Sequence, residues 1–404
     1  MKIHFLLTKD LFRGGGIETY TREVGRRLVT RGHEVTVYST RGKAECVAEW
    51  EGMRIVWLPS VKPHWAEKSA GALWAAAKAL KVESPDVLHL HSVVAGSLAL
   101  LLKSRVAPCI VQMHGIEWLR TRWGPFAKGV LKAMERASLG SADAITAVSR
   151  TQCEYFKSQY NLDSEYIPTA ADIKDFASPK LICDMGIEPR KYMLFAARLV
   201  PEKGAHHLIK AFRRLSTDHS LILAGEAPAS GGYAQELRDL AKGDKRIRFI
   251  GRVHGRLLEE LFSNAQLFMQ PSELEGLSIG LIEGMSYGIP CLASDIPENR
   301  EVVGNAALLF RNKDVDDLGR QMNWALSNAG AMAKLAEEGR RRVQELFTWE
   351  RVVDQLETLY QRVASGLQER DAKWAPQRGL RGVAPALTSL PGLSPKKALS
   401  PSQF

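Results

Sequence analysis

Short runs of apolar and β-branched residues alternate along this chain with longer segments whose apolar residues recur at helical spacing. The runs form two series, one in each half of the sequence. The predicted strands are 3–8, 34–39, 53–57, 87–91, 109–114 and 144–148 in the first half, and 192–196, 220–224, 246–250, 265–270 and 290–294 in the second. Strands that alternate with helices in this way predict an α/β fold built from parallel sheets with covering helices.

The boundary between the two series is the segment 167–189, which is irregular, contains three prolines and is interpreted as a linker. It divides the chain into an N-terminal domain, 1–168, and a C-terminal domain, 169–345. The first helix is predicted over 17–31 and the last near 349–363. The tail, 372–404, is rich in Pro, Gly and Ser, and is basic with no acidic residue. That composition predicts disorder.

Composition narrows the class of protein further. The 404 residues are 45% hydrophobic and 25% charged, as in ordinary globular domains. The five cysteines are scattered and form no C-x-x-C pair, which argues against a disulfide framework or a zinc site and favours the cytosol. The apolar segments 1–7 and 93–102 are too short for a signal peptide or a membrane span.

The net charge of +10 predicts attraction to an anionic partner. Nucleic acid, acidic lipid and phosphorylated substrates all fit that description. The sequence contains no helix-turn-helix, RNP or zinc-finger pattern, so no nucleic-acid partner is expected.

Glycines directly after the first predicted strand form the first candidate site. Gly15 and Gly16 open the first helix, where glycine lets the backbone approach an anion and free N–H groups point outward. A dinucleotide site would need G-x-G-x-x-G and an acidic residue after the second strand, which here ends Ser39-Thr40. A plain connecting turn is the other interpretation.

Two cations follow the strand 192–196. Arg198 and Lys203 lie five residues apart in one loop, and converging cations could neutralise a departing diphosphate. A solvated surface loop is the alternative.

The most informative segment is 271–285, which joins a strand to an apolar helix predicted to begin near Leu277. Glu275 precedes that helix and Glu283 lies about two turns into it. Carboxylates at two separated places accept hydrogen bonds from a hydroxyl-rich ligand, while the helix N-terminus between them favours phosphate. The alternative interpretation is structural. The Glu275 carboxylate would then only interact favourably with the helix dipole, and Glu283 would be a partly buried charged residue of the helix.

His114 ends a predicted strand and precedes Gly115. Open α/β sheets bind ligands at the carboxyl ends of their strands, so His114 is a candidate for ligand contact. A structural histidine is the alternative.

Together these residues resemble the GT-B glycosyltransferases of family 4, over roughly residues 1–365. Glu275 to Glu283 matches the E-x7-E motif of that family. The resemblance implies two Rossmann-like domains that face each other across a cleft, with a C-terminal helix, 346–365, packed back on the N-terminal domain. It also implies that the N-terminal domain binds the acceptor and the C-terminal domain a nucleotide sugar.

The resemblance assigns expected roles to single residues. Four are expected to be catalytic: Arg198 and Lys203 bind the diphosphate, Glu275 contacts hydroxyls of the donor sugar, and His114 lies near that sugar. Glu283 is expected to contact the ribose. The remaining donor-binding expectations are Gly15, Gly16, Gly276 and Leu277. Gly15 is expected to meet the diphosphate or the acceptor, and the helix end near Leu277 the diphosphate. The backbone of Arg252 and Val253 is expected to meet the nucleobase. No metal ligand is expected.

One segment departs from the family pattern. Such proteins commonly have I-P-N-G-V-D before the second domain, and here the sequence is Ile167-Pro168-Thr169-Ala170-Ala171-Asp172. The Asn-Gly turn is lost, so the hinge is expected to differ.

The function implied is retaining, metal-independent hexosyl transfer from a UDP- or GDP-linked donor, without another cofactor, to a polysaccharide or lipid-linked acceptor in cell-surface glycan synthesis. A sugar-nucleotide epimerase of GT-B architecture and an inactive glycan-binding scaffold are the alternatives. Aromatic and basic residues mix at 62–65, 68–81 and 118–128, which suits an anionic membrane surface and predicts a cytoplasmic protein peripheral to the inner face of the membrane. Alternatively, these tryptophans pack inside.

Overall fold

The structure is a computed structural model that describes residues 1–7, 10–12, 15–40, 47–59, 84–91, 93, 107–120, 123–227 and 232–373. In this part of the chain the strands form two separate sheets, which are almost wholly parallel and are covered by helices. The predicted fold class, two Rossmann-like α/β domains, is confirmed.

The N-terminal sheet has the strand order β3-β4-β2-β1-β5-β6-β7-β8. Its strands are β1 (Lys2–Leu6), β2 (Glu34–Thr40), β3 (Glu49–Trp50), β4 (Met53–Leu58), β5 (Val87–His91), β6 (Cys109–Met113), β7 (Ala144–Ala147) and β8 (Glu165–Tyr166). Only β3 pairs antiparallel among these strands. Because β1, β5 and β6 are neighbours, the residues at their carboxyl ends meet at one edge of the sheet.

The C-terminal sheet has the strand order β11-β10-β9-β12-β13-β14. Its strands are β9 (Tyr192–Ala196), β10 (Ser220–Ala224), β11 (Ile247–Gly251), β12 (Leu267–Gln270), β13 (Cys291–Ser294) and β14 (Leu308–Phe310). The strand order reverses between β9 and β12, and such a switch point opens a crevice at the carboxyl ends of the strands.

Twelve α-helices occur in the described residues. They are α1 (Gly16–Thr30), α2 (Pro125–Ser141), α3 (Arg150–Tyr160), α4 (Leu181–Asp184), α5 (Ala205–Arg213), α6 (Tyr233–Ala241), α7 (Gly255–Ser263), α8 (Ile279–Ser286), α9 (Pro297–Val303), α10 (Val315–Ser327), α11 (Ala329–Leu346) and α12 (Trp349–Lys373). Short 3₁₀ turns span Glu117–Leu119 and Pro201–Lys203.

The last helix, α12, returns to the N-terminal domain. Its apolar residues, including Val353, Leu356 and Tyr360, are fully buried in one cluster with Ile3 and Phe5 of β1. Polar contacts fix the same helix to α1, since a guanidinium nitrogen of Arg31 lies 2.6 Å from Asp354. The N-terminal core is therefore completed by the end of the chain.

Most predicted element bounds agree with the structure to within two residues. Sequence patterning missed β3, β8 and β14, because two or three residues cannot display an alternation. The last helix is longer than predicted and continues to Lys373, so the first two residues of the predicted tail are helical. The rest of that tail, 374–404, lies outside the described residues, as do 60–83.

Two further observations bear on the sequence predictions. Cys109, Cys153, Cys183 and Cys291 form no disulfide among the described residues, and Cys46 lies outside the described residues. Among the helices that the structure describes, none combines the length and the apolar character needed to cross a bilayer.

Candidate active site

The C-terminal part of the candidate site is built from loops that leave the carboxyl ends of β9 and β12. The first loop continues through the 3₁₀ turn Pro201–Lys203 to Gly204, whose φ of +69° lies in the left-handed region that glycine adopts easily. A side chain at Gly204 would also collide with the backbone carbonyl of Pro271. Glycine at this position thus allows the two loops to pack backbone against backbone.

A tight ion pair joins these two loops. Lys203 Nζ lies 2.5 Å from Glu275 Oε1, and the two side chains are 20% and 7% exposed. A pair so well shielded from water interacts more strongly than an exposed one. Two of the four residues expected to be catalytic are therefore in direct contact.

A network of uncharged side chains holds Glu275 from the other side. Gln270 Nε2 donates to Glu275 Oε1 at 2.8 Å and to Ser272 Oγ at 2.9 Å. Ser278 Oγ in turn donates to Asn299 Oδ1 at 2.6 Å, and Asn299 Nδ2 donates to the Ser294 carbonyl at 2.9 Å. The network links the loops after β12 and β13, and sequence reasoning missed it because single uncharged polar residues in loops carry no motif.

Arg198, Arg252 and Val253 follow β9 and β11 at the same edge of the sheet. Arg198 and Arg252 are exposed, whereas Val253 packs against the C-terminal core. Gly251, the last residue of β11, has a φ of +71°, in the left-handed region that glycine adopts easily. The three predicted residues therefore share one rim with Lys203 and Glu275.

Two further carboxyl groups near this rim have raised pKa values. Burial raises the pKa of Glu283, on α8, to about 7, and Lys174 opposes that rise. Burial also raises the pKa of Glu298, at the start of α9, to about 7, and the Glu275 carboxylate adds to the rise. Glu298 was not predicted, because its chain position carries no motif.

The N-terminal part of the site is a stack of histidines. His89 and His91 lie on one face of β5, with ring centroids 4.6 Å apart, and the His91 and His114 centroids are 5.2 Å apart. His91 Nδ1 lies 3.0 Å from His114 Nε2, and His89 Nδ1 lies 2.6 Å from the Tyr360 hydroxyl. His114 was predicted and its partners were not, although alternate histidines at the end of a buried strand were the available signal.

These histidines are electrically neutral at physiological pH. Desolvation lowers the pKa of His114 and of His89 to about 3, and it lowers the pKa of His91 well below its usual value. The ring of Tyr20 packs edge-on against His114, at 5.4 Å between centroids. A neutral imidazole in such surroundings is suited to hydrogen bonding and not to proton transfer near pH 7.

The two parts of the site touch across the cleft. A Cβ on Gly276 would lie 2.1 Å from the His114 carbonyl oxygen, and one on Gly16 would lie 2.8 Å from Ile279 Cδ1. Gln152 Nε2 donates to the Gly276 carbonyl at 3.0 Å. Leu277, which is 6% exposed, lies next to this contact. Gly15 is the N-cap residue of α1, directly before Gly16, so two of the predicted glycines, Gly16 and Gly276, lie at contacts between the domains.

The departure from the family pattern at 167–172 lies at the domain boundary. Thr169 is 3% exposed and its hydroxyl has no hydrogen-bond partner among the described residues. Asp172 Oδ1 lies 2.5 Å from Arg27 Nη2 of α1. The hinge is therefore anchored by an ion pair to the N-terminal domain.

The predicted membrane-facing segment is split by the structure. Trp118 is only partly exposed, and its indole N–H donates to Glu135 Oε1 at 3.3 Å. Phe126, in the first turn of α2, is 86% exposed, and Val130, one turn further, is 44% exposed. Trp65 and Trp74 lie outside the described residues.

Two models of glycosyltransferase families match the chain in succession. Glycosyltransferase Family 4 matches residues 14–175, and Glycosyl transferases group 1 matches residues 184–342. The two matches cover the N-terminal and C-terminal halves of the site described above.

Similar proteins are found both by sequence and by structure. An uncharacterized glycosyltransferase from Methanocaldococcus jannaschii is 24% identical over 86% of this chain and 94% of its own length. Sucrose-phosphate synthase from Thermosynechococcus elongatus has a TM-score of 0.79 at 19% identity, over 90% of this chain and 99% of that one. HepE from Anabaena in complex with UDP-glucose has a TM-score of 0.74 at 20% identity, over 89% of this chain and 99% of that one. The structural neighbours share the fold.

Proposed function

Because this chain belongs to the GT-B glycosyltransferases of family 4, we propose that it transfers a hexosyl unit from a UDP- or GDP-linked sugar to a polysaccharide or lipid-linked acceptor, with retention of configuration. The observation that carries the proposal is the shielded pair of Lys203 and Glu275 at the switch point of the C-terminal sheet. A cation held there would be positioned to bind the diphosphate of a nucleotide sugar.

The donor diphosphate would be bound by Lys203, Arg198 and the N-terminal end of α8. When the glycosidic bond to the diphosphate breaks, negative charge grows on the leaving oxygen, and fixed cations stabilise it without reorganisation. Backbone N–H groups at the helix end add to this stabilisation. We therefore expect the transfer step to need no metal ion.

The sugar would be held between Glu275 and His114. Glu275 can accept hydrogen bonds from sugar hydroxyls with the carboxylate oxygen that Lys203 does not contact, and Glu283 can accept those of the ribose. Neutral His114 can exchange a hydrogen bond with the sugar without repelling the positive charge that develops at the sugar ring. The acceptor hydroxyl would then attack from the face that the nucleotide leaves, with the acceptor bound by the N-terminal domain.

A nucleotide-release screen tests this proposal. Purified protein is incubated with UDP-, GDP-, ADP- and TDP-sugars in EDTA, with and without lipid extract as a source of acceptors. Acceptor-dependent release of nucleotide from one donor is the expected result. Epimerisation of the sugar without an acceptor would favour the epimerase, and donor binding without any turnover would favour the inactive scaffold.

Association with an anionic membrane surface belongs to the same proposal. The exposed face of α2 combines Phe126 and Val130 with Lys132 and Arg136, which are also exposed. Apolar side chains flanked by cations suit the interface of an anionic bilayer. The acceptor would reach the N-terminal domain from that surface, on the inner face of the cell membrane.

Sedimentation with phosphatidylglycerol vesicles tests the membrane contact. Phe126→Asp should reduce the bound fraction, while Phe176→Asp should not, because Phe176 is similarly exposed at 62% but belongs to the C-terminal domain. Equal binding of the two variants would rule out α2 as the contact.

A further inference from the structure

Three metal-ligating side chains converge next to the loops that carry Lys203 and Glu275. His206 and His207 belong to the first turn of α5, and Glu273 lies in the loop after β12. Their ligand atoms all lie within 4.8 Å of one another. The three residues are partly exposed, so an ion from solution could reach them.

The spacing of these atoms suits a small divalent ion. His206 Nε2 lies 3.6 Å and His207 Nε2 lies 2.9 Å from Glu273 Oε1. Zinc bonds of about 2.0–2.1 Å at tetrahedral angles separate two ligand atoms by about 3.3 Å. Both distances lie within a few tenths of an ångström of that value, and the two histidine ligand atoms lie within 4.8 Å of each other, so side-chain rotations would complete the geometry.

Neighbouring groups already orient the candidate ligands. The Tyr233 hydroxyl lies 2.8 Å from His206 Nδ1 and also accepts the backbone N–H of His206 at 3.3 Å. A hydrogen bond at Nδ1 leaves His206 Nε2, which faces Glu273, as the ligand atom. Lys313 Nζ lies 2.9 Å from Glu273 Oε2, which leaves Oε1 toward the histidines. Outer contacts of this kind are typical around bound metal ions.

We infer that His206, His207 and Glu273 form a site for a zinc-class divalent ion, with water in the remaining position. Two imidazoles and a carboxylate are ligands that Zn²⁺ accepts. The ion would join the first turn of α5 to the loop after β12, which already meet where the Glu273 N–H donates to the Glu202 carbonyl at 2.8 Å.

An ion at this site would be a structural crosslink beside the pair formed by Lys203 and Glu275. Lys203 lies three residues before His206 and Glu275 two residues after Glu273, so an ion at this site would fix the relative position of the loops that present Lys203 and Glu275. The ion takes no part in the transfer step, which is proposed to need no metal. The competing interpretation is an ordinary ion network of His207, Glu273 and Lys313.

Direct metal titration of the untagged full chain tests the site. The protein is stripped with EDTA, dialysed and titrated with Zn²⁺ by calorimetry, and separately with Co²⁺ while visible absorption is recorded. We expect one ion per chain and the intense visible bands of four-coordinate cobalt. Binding should weaken at least 100-fold in the double variant His206→Ala/His207→Ala and about 10- to 100-fold in Tyr233→Phe.

The control is His219→Ala, because His219 lies on the same domain and is similarly shielded, but contacts Asp218 and not Glu273. Its affinity should equal that of the unaltered protein. Thermal melting without metal checks that each variant is folded. If the double variant is unfolded, the test of the site rests on the affinity of Tyr233→Phe. No saturable binding, or undiminished binding in a folded variant, overturns the site. Neither result involves the sugar donor, so failure here is distinct from failure of the proposed transferase activity.

Discussion

The two sides of the cleft line the same space with side chains that differ in charge. On the C-terminal side Lys203 and Glu275 form a shielded ion pair, with Gln270 donating to the same carboxylate. On the N-terminal side the rings of His91 and His114 are in tilted contact, and burial keeps both rings uncharged. The C-terminal side therefore presents a charged wall to the cleft, and the histidines on the N-terminal side present a neutral, hydrogen-bonding one.

If the chain transfers a sugar as proposed, the two walls would act on different parts of the donor. A departing diphosphate gains negative charge and needs cations that are already in place. A sugar ring gains positive charge at the same moment, and a protonated histidine beside it would raise the barrier. Substitutions on the two walls should consequently have effects of different kind and size.

The largest effect is expected for Lys203→Ala. Loss of the cation removes stabilisation of the leaving group, so kcat should fall by about 10²–10³-fold or more. The measurement is nucleotide release at saturating donor. Lys242→Ala, which removes an exposed lysine elsewhere on the same domain, should keep full activity. A Lys203→Ala variant with near-normal kcat would contradict the charged-wall assignment.

The second largest loss of activity is expected for Gly276→Ala, because the added methyl group would push the two walls of the cleft apart. The added Cβ would lie 2.1 Å from the His114 carbonyl oxygen, so one backbone must move by about 1 Å. A displacement of that size between reacting groups can cost about 10²-fold in rate. Gly140→Ala is the matched control, since nothing lies within 4 Å of the added atom. Equal rates in the two variants would show that the closed contact is not used in turnover.

The residues of the charged wall could be identified as candidates from the sequence. Arg198 and Lys203 lie in one loop, and Glu275 and Glu283 are one motif, so each pair is visible within a few residues of chain. The alternation of strands and helices likewise indicated the parallel sheets, because each unit depends on local patterning.

The neutral wall depends on packing between distant segments. His91 and His114 come from neighbouring strands, and His89 is held by Tyr360 from the last helix, 271 residues away. Reasoning from single residues found only His114, because the alternate histidines of β5 do not show by themselves which residue of the next strand they meet. Glu298 and Asn299 were missed for the same reason, because their place in the site depends on loops that are distant in the sequence.

Donor affinity should depend on pH through Glu283. Burial raises the pKa of its carboxyl to about 7, so the proton is bound below that pH and the carboxylate can accept hydrogen bonds only above it. If the ribose needs the carboxylate, the Kd of the donor should rise about tenfold between pH 8 and pH 6. Glu283→Gln should bind weakly at both values without that slope. A wild-type Kd that is constant over this range would exclude Glu283 as the titrating contact.

The smallest change is expected for His91→Gln, which tests the neutral wall. Losing one buried hydrogen bond to His114 should lower kcat/KM about two- to tenfold. The pKa of His91 lies well below its value in the unfolded chain, so His91 favours folding above about pH 6.5 and loses that contribution as the pH falls. The melting temperature should therefore drop less between pH 7 and pH 5.5 in His91→Gln than in the unaltered protein. An equally steep drop would mean that His91 is protonated in the folded state, and the N-terminal wall would then carry charge.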